Sequence, residues 1–432
     1  MKSFLRYLKN LAKAMVFDKK RVQWNSPEQQ DPIDANTLLQ KYTVEELCKH
    51  AEIYHQHITN WDHHLGLPFS SLDSAPGTLI AFAHLIEGLK LVPGLKILDF
   101  AAGSCWASHL LNQLGCEVIS LDASKTALNI GRELTRRHAV FGKQPSHTFM
   151  EFDGRRIQLP DNSLDRLICI NALHHVPNIE EVLSEIFRVL KNGTIAGFSE
   201  PGPFHSRSPQ SQYEMKNYTV IERDIVIEEI DAIAKQVGFT DLKIALYTPY
   251  PMLCSLHEFQ CFLGNHGFIS PGDPSLEYAK FTVSHMMNHR LFFLYKGAPL
   301  SGDSRDPEGL IADILTRMPQ TVYQSGDEMV VEAAIKNMSE KEWLPASAGI
   351  GGVTLCAHLF DSDGTLLELV YFRMPLTQDS RNIMPGEAVT LNARIPAPPP
   401  GKYTLEFDVV SELVTWFSIN GSLTTRHGIE VR

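Results

Sequence analysis

The chain lacks any apolar run near the 18 or so residues that a helix needs to cross a bilayer, which excludes a protein that spans the membrane by helices. It also lacks a C-x-x-C pair. Its seven cysteines, odd in number, are scattered from Cys48 to Cys356, so they are expected as free thiols in a reducing cytoplasmic compartment. The opening MKSFLRYLKNLAKAMVF is broken by Arg6, Lys9 and Lys13, so it has no continuous apolar core of the secretory kind, and secretion is not expected. Positive charge is in deficit. Lys and Arg number 39 against 50 Asp and Glu, a net charge of -11, which argues against a general affinity for nucleic acid. There is no internal repeat and no low-complexity tract.

What is present fits a globular protein: 44% hydrophobic and 21% charged residues over 432 positions, enough for two or three domains. Residues 1–21 form one basic segment. Phe4, Leu8, Leu11 and Met15 make an apolar stripe beside Lys2, Arg6, Lys9 and Lys13, a pattern expected to touch a membrane surface peripherally or to pack on the acidic body. Residues 1–92 read as a helical region and lid. Over 93–298, short apolar runs at Lys96–Phe100, Glu117–Leu121, Thr148–Phe152, Arg166–Ile170, Thr194–Ser199, Leu242–Tyr247 and Arg290–Lys296 read as buried strands. Between them lie amphipathic helices, clearest at Asn178–Lys191, with a further one near Glu222–Val237. The fold class is therefore α/β, with a parallel sheet covered on both faces. Residues 299–315 read as a polar linker. From 316 to 432 the period changes to two, as in Met329, Val331, Ala333, Ile335, and an all-β sandwich is expected.

Ligands of open α/β sheets bind at the carboxyl ends of the strands, where LDFAAGSCW places a small-residue loop. A dinucleotide fingerprint needs a third small residue where Trp106 stands, and no Gly-Lys-Ser/Thr follows to grip phosphates. A dehydrogenase is thereby disfavoured. Asp122 closes the second strand, 23 positions after Asp99, where a carboxylate accepts both hydroxyls of a ribose. A nucleoside without pyrophosphate suits S-adenosylmethionine.

With LDAS at 121–124, FDG at 152–154, LPDNSLDRLICINALHHVPN at 159–178 and RVLKNGTIAGFSEPG at 188–202, the sequence resembles the class I methyltransferases. The resemblance implies a seven-stranded Rossmann-like domain with S-adenosylmethionine as cofactor. It sets Asp99, Phe100, Ala101 and Gly103 around the methionine portion, Asp122 and Ala123 at the ribose, Asp153 and Gly154 at the adenine, and Asn171 at the floor. The family usually has glycine where this chain has Ala101 and Cys105.

For a hydroxyl acceptor, transfer needs a base, and neutral histidine is suited to that role. His175 is the candidate, with Glu200 as a second base or acceptor anchor. His174 is expected to support packing, with its side chain pointing away from that of His175. His50, His55, His57, His63 and His64 cluster ahead of the domain without a carboxylate or cysteine to complete a metal site, so no metal is expected and the region reads as a lid. Tyr54, His57 and Trp61 would share a face near the acceptor, and the 201–218 loop would form the other wall. The C-terminal strands, in KYTLEFDVV and VTWFSINGS, weakly resemble Ig-like recognition domains of polysaccharide-associated proteins, in which Trp343 or Trp416 would stack on sugars unless used in the core. The expected function is methylation of a hydroxyl on a glycan or other small-molecule acceptor. The alternative is a cofactor-binding, non-catalytic scaffold with a glycan-binding sandwich.

Overall fold

The computed structural model describes residues 32–138, 145–248, 251, 253–264, 274–298 and 302–432. The basic stripe expected to contact a membrane lies outside them. No helix among the described residues is long and apolar enough to cross a membrane.

Among the described residues four helices come first: α1 (Ala35–Lys41), α2 (Val44–Gln56), α3 (Asp62–Leu65) and α4 (Ala75–Gly88). Helix α2 starts where Thr43 and Glu46 exchange side-chain-to-backbone hydrogen bonds, a reciprocal cap that satisfies two otherwise orphaned amides. The alternating unit then runs β1 (Lys96–Phe100), α5 (Trp106–Gln113), β2 (Glu117–Asp122), α6 (Lys125–Arg137), β3 (His147–Glu151), β4 (Leu164–Ile170), α7 (Ile179–Val189) and β5 (Leu190–Pro201). It closes with α8 (Pro209–Tyr218), α9 (Ile227–Val237), β6 (Asp241–Ile244), α10 (Leu256–Gly264), α11 (Pro274–Met286) and β7 (His289–Lys296).

The seven strands form one sheet in the order β3-β2-β1-β4-β5-β7-β6. The first five are parallel, but β7 runs antiparallel to both β5 and β6, so the sheet is mixed and not parallel throughout as the sequence reading had it. The cause is where the chain turns back. It leaves β6 at the carboxyl end of the sheet and re-enters there, with His289 opposite Pro201, so β7 must run the other way. Alternation along each strand divides the core between the faces. Leu98, Phe100, Leu167 and Cys169 face α7 and α9, while Ile97, Val118 and Ile168 face α4 and α5.

Two helices are shorter than their periodicity implies. Helix α7 stops at Val189 because Leu190 turns extended and opens β5, and α9 starts only at Ile227. The preceding segment is extended instead, with Arg223 N donating to His174 O at 3.2 Å and Ile221 and Ile225 buried.

The C-terminal all-β region contains β8 (Ala312–Arg317), β9 (Val322–Tyr323), β10 (Glu328–Asn337), β11 (Val353–Asp361), β12 (Leu366–Pro375), β13 (Ala388–Pro396), β14 (Gly401–Ser411), β15 (Thr415–Trp416) and β16 (Thr425–Val431). A three-stranded sheet, β13-β10-β8, and a six-stranded one share a core in which Met329, Val331 and Ile335 meet Leu355, Leu405 and Phe407. Much of the expected linker is built into this region. Leu310 is buried in the core, and buried Ser304 bonds to Gly351 O, Leu344 N and Ser411 Oγ. Arg305, held by Asp303, reaches back to Pro93 O at 2.7 Å and so ties the two parts of the chain.

Candidate active site

A cavity of about 320 Å³ opens at the carboxyl end of the sheet, a size suited to a small organic ligand. Its base is the loop after β1, where Ala101, Gly103 and Cys105 all take left-handed backbone angles, with φ of 52°, 52° and 60°. Glycine adopts such angles freely, whereas alanine and cysteine do so at a cost. The Cys105 side chain is accommodated because Gly131 on α6 has none. A Cβ at position 131 would stand 2.4 Å from Cys105 Sγ. The departure from glycine at 105 is thus matched by a glycine across the packing interface.

Asp122 ends β2 with its carboxylate on the cavity wall. Gly103 N donates to Oδ2 and Ser124 N to Oδ1, each at 2.7 Å. Each oxygen keeps acceptor capacity beyond that one bond. Burial pushes this carboxyl up, against the pull of His55 and of those two amides. Phe100, Ala101, Gly103, Ala123, Gly154 and Asn171, all expected at the site, line the same cavity. Gly154 is pressed by the lid, since a Cβ there would meet Cys48 Sγ and Val44 Cγ1, each at 2.7 Å.

Two expected residues are placed elsewhere. Asp99 faces α5, because it shares the strand face of Ile97, and there it accepts from Ser108 N at 3.1 Å and Ser108 Oγ at 2.6 Å. Burial pushes its carboxyl up to about 7. Asp153 is exposed and spends its Oδ1 on the amides of Arg155 and Arg156, which fixes the turn after β3.

The lid is α2, whose Leu47, Cys48, Ala51, Tyr54 and His55 face the cavity, with His64 and Leu67 beyond. Spacings of three and four residues from Leu47 carried that signal. Of the three lid residues expected to share a face, Tyr54 lines the cavity. His57 instead bonds to Ile53 O and packs on Tyr218, and Trp61 packs on Leu65 and α6. The lid is fastened by Glu52, which accepts from Ser124 Oγ at 2.6 Å, Thr126 N at 3.0 Å and Thr126 Oγ1 at 2.7 Å. Glu214, Val220 and Ile221 supply the opposite wall.

His175 lines the cavity, with Nδ1 2.6 Å from Ile221 O. A carbonyl only accepts, so the ring proton sits on Nδ1 and Nε2 carries a free lone pair. His174 does not point away from its neighbour: the two ring centroids are 3.9 Å apart. A short helical turn, Leu173–His175, brings them together at a tilt of 46°, and buried Glu200 pins His174 by a 2.7 Å bond to Nδ1. Glu200 also accepts from the amides of Ala172 and Leu173, so it sits beneath the cavity as an organiser of this turn and does not line it. Burial lowers His174 to about 4, which keeps it neutral. The residue missing from the sequence reading is Glu222. Buried beside both histidines, it accepts from His205 Nε2 at 2.7 Å and stands 3.3 Å from His175 Nδ1. No motif marks it, because it lies in an irregular segment.

The site fits a nucleoside-bearing ligand. Nothing lies within 4 Å of a Cβ placed on Gly103, which leaves an open cradle, and Asp122 offers two oxygens beside it. Residues 98–198 match the family model of a methyltransferase domain. The chain is similar to a demethylmenaquinone methyltransferase of Renibacterium salmoninarum, 30% identical over 137 residues, which cover 31% of this chain and 53% of that protein. It is similar also to a sterol 24-C-methyltransferase of Yarrowia lipolytica, 32% identical over 118 residues, or 27% of this chain and 30% of that one. The chain therefore spans about half the length of the first of these relatives and less of the second. Among solved structures, phosphoethanolamine N-methyltransferase 2 of Haemonchus contortus with S-adenosyl-L-methionine aligns at 18% identity and a TM-score of 0.39, over 60% of each chain. Residues 98–198 are a methyltransferase domain, and its cofactor is S-adenosylmethionine.

Proposed function

We propose that the whole chain methylates a small-molecule acceptor in this cavity, with His175 as the base. The supporting observation is that one cavity is bounded both by the 101–103 loop with Asp122 and by His175, whose proton is fixed on Nδ1. S-adenosylmethionine supplies a methyl group on a positively charged sulfur that leaves as a neutral thioether. The loop backbone holds its methionine end and Asp122 its ribose, while the lid excludes water. Nε2 of His175 takes the acceptor's proton, and its charged ring discharges to solvent through its half-exposed edge.

The acceptor is largely apolar and is methylated at a hydroxyl. The support is the wall made by Leu47, Leu67, Trp106, Val220 and Ile221. A carbon acceptor is the second reading, favoured by relatives named for a menaquinone precursor and for carbon 24 of a sterol. A glycan hydroxyl is the narrower reading. It draws on the C-terminal strands alone, and of the two tryptophans Trp343 is spent on the core, edge-on to Phe417 at 5.0 Å. Trp416, half-buried and tilted over His358, keeps that reading open.

The test is incubation of cell extract with the protein and methyl-labelled S-adenosylmethionine, followed by repetition with His175→Ala. A labelled small molecule, with turnover falling by roughly 10² to 10⁴ in the variant at unchanged cofactor affinity, is expected. Full turnover in His175→Ala removes the base. Labelling of nothing, with the cofactor still bound, leaves the scaffold reading.

A further inference from the structure

Two buried carboxylates lie behind the cavity wall, and among the described residues each forms its ion pairs with histidine alone. Glu200 is spoken for by His174 and by the backbone of the 172–174 turn. Glu222 is not explained by fold alone. Its Oε2 takes the His205 Nε2–H at 2.7 Å and faces His174 Nε2 at 3.8 Å, while Oε1 faces His175 Nδ1 at 3.3 Å. Burial opposes its ionisation, yet the His205 bond and the nearby rings of His175 and His174 hold its carboxyl at about 2. A permanently charged, buried carboxylate is costly unless something cationic forms beside it.

Resting on His175 as the base, we propose that Glu222 is its positioning residue. Glu222 and Ile221 O together fix the Nδ1–H tautomer, and Glu222 stabilises the imidazolium that appears when Nε2 takes the acceptor's proton. His205 anchors the carboxylate from the far side. The acceptor's proton moves to Nε2, the Nδ1 proton stays on its bond to Ile221 O with Glu222 beside it, and the ring returns its extra proton to solvent through its half-exposed edge. The other groups that face Glu222 are Glu214, from α8, and Tyr54, from the lid. Glu214, pushed up by burial, shares a hydrogen bond with Glu222 but supplies no positive charge, and nor does Tyr54, so cationic pairing falls to the histidines. His174, pinned by Glu200, is buried behind the wall and does not line the cavity.

The test needs no acceptor. Imidazole nitrogens of the full-length ¹⁵N-histidine protein are followed by NMR from pH 5 to 9, with the His175 signals assigned by their loss in His175→Gln. The proposal requires an Nδ1–H tautomer in the wild type. It also requires the His175 titration midpoint to fall by about one pH unit in Glu222→Gln, the least expected from removing an opposite charge at this range. In His205→Gln the carboxylate loses its 2.7 Å donor and acts more fully on His175, so the midpoint moves up. Opposite directions in the two variants separate this role from a structural one, which would move both alike. An Nε2–H tautomer, or an unmoved midpoint in Glu222→Gln, overturns the proposal. So does one equivalent of a divalent ion in elemental analysis, because the ligand atoms of His174, His175 and Glu222 lie within 4.8 Å of one another and a metal there would displace the proton. A lowered midpoint with full turnover in His175→Ala keeps the pairing and discards only the base.

Discussion

At the scale of single residues the site is built on compensated exceptions. Cys105 holds a left-handed angle that costs a non-glycine residue about 1–2 kcal/mol, and its thiol fits because Gly131 lacks a side chain. Gly131→Ala should therefore destabilise the protein by about 1–3 kcal/mol through overpacking. Cys105→Gly in the same chain should restore most of that loss, as a denaturant double-mutant cycle would show. Additive effects would mean that the two positions do not share their space. Asp99 gives a second residue-scale test. Its carboxyl sits at about 7 in the fold, because burial outweighs the bonds from Ser108. A folded value above the ordinary one means that the wild type keeps a proton the unfolded chain has lost, so stability falls as pH rises from about 4 through 7. Asp99→Asn keeps an oxygen for Ser108 and removes the titration. Its melting temperature relative to the wild type should climb across that window and level off above it, and a constant difference would contradict the assignment.

Among the elements, the lid and the loops it covers are one connected piece. Glu52 on α2 holds Ser124, Ser124 N is held by Asp122, and Asp122 holds Gly103. Burial works against ionisation of Glu52, but the bonds from Ser124 and Thr126 set its carboxyl at about 2. That is below the ordinary value, so the latch is complete at neutral pH and weakens as pH falls toward 2. Glu52→Ala should raise hydrogen exchange of the α2 amides by about tenfold or more at pH 7 and weaken cofactor binding, with the sheet's protection unchanged. Unaltered exchange in α2 would leave the lid held by its apolar contacts instead. These elements also show what the sequence could tell. Strand and helix periodicity located the strands of the sheet and α7, because alternation and three-to-four spacing follow directly from burial of one face. Asp122 and the loop of Gly103 were legible because one ends β2 and the other follows β1 at the carboxyl edge, while Asn171 came from the methyltransferase resemblance. Asp99 and Asp153 were expected at the cofactor and stand instead on Ser108 and on a turn, since a motif fixes neither which strand face an aspartate takes nor whether it spends its oxygens on a turn. Glu222 comes from an irregular segment and Glu214 from α8, inside what reads in the sequence as a loop, and only the folded chain brings them to His175.

The molecule as a whole joins the methyltransferase domain to an all-β region whose core begins earlier than the change of period indicates. Leu310 and Ser304 lie inside it, and β8 starts at Ala312. A fragment of residues 302–432 should unfold cooperatively on heating, whereas one starting at 316 loses most of β8 and should not. Equal melting of the two would show that the 302–315 segment contributes no stability. The direct test of the central claim is calorimetry on the full chain with S-adenosylmethionine and, separately, NADH. The cavity between the 101–103 loop, Asp122 and the lid predicts one-to-one binding of S-adenosylmethionine and none of NADH. In Asp122→Asn, affinity should fall at least about tenfold, as expected for loss of a charge-assisted hydrogen bond. Wild-type affinity in a folded Asp122→Asn protein, or tight NADH binding in place of S-adenosylmethionine, would contradict it.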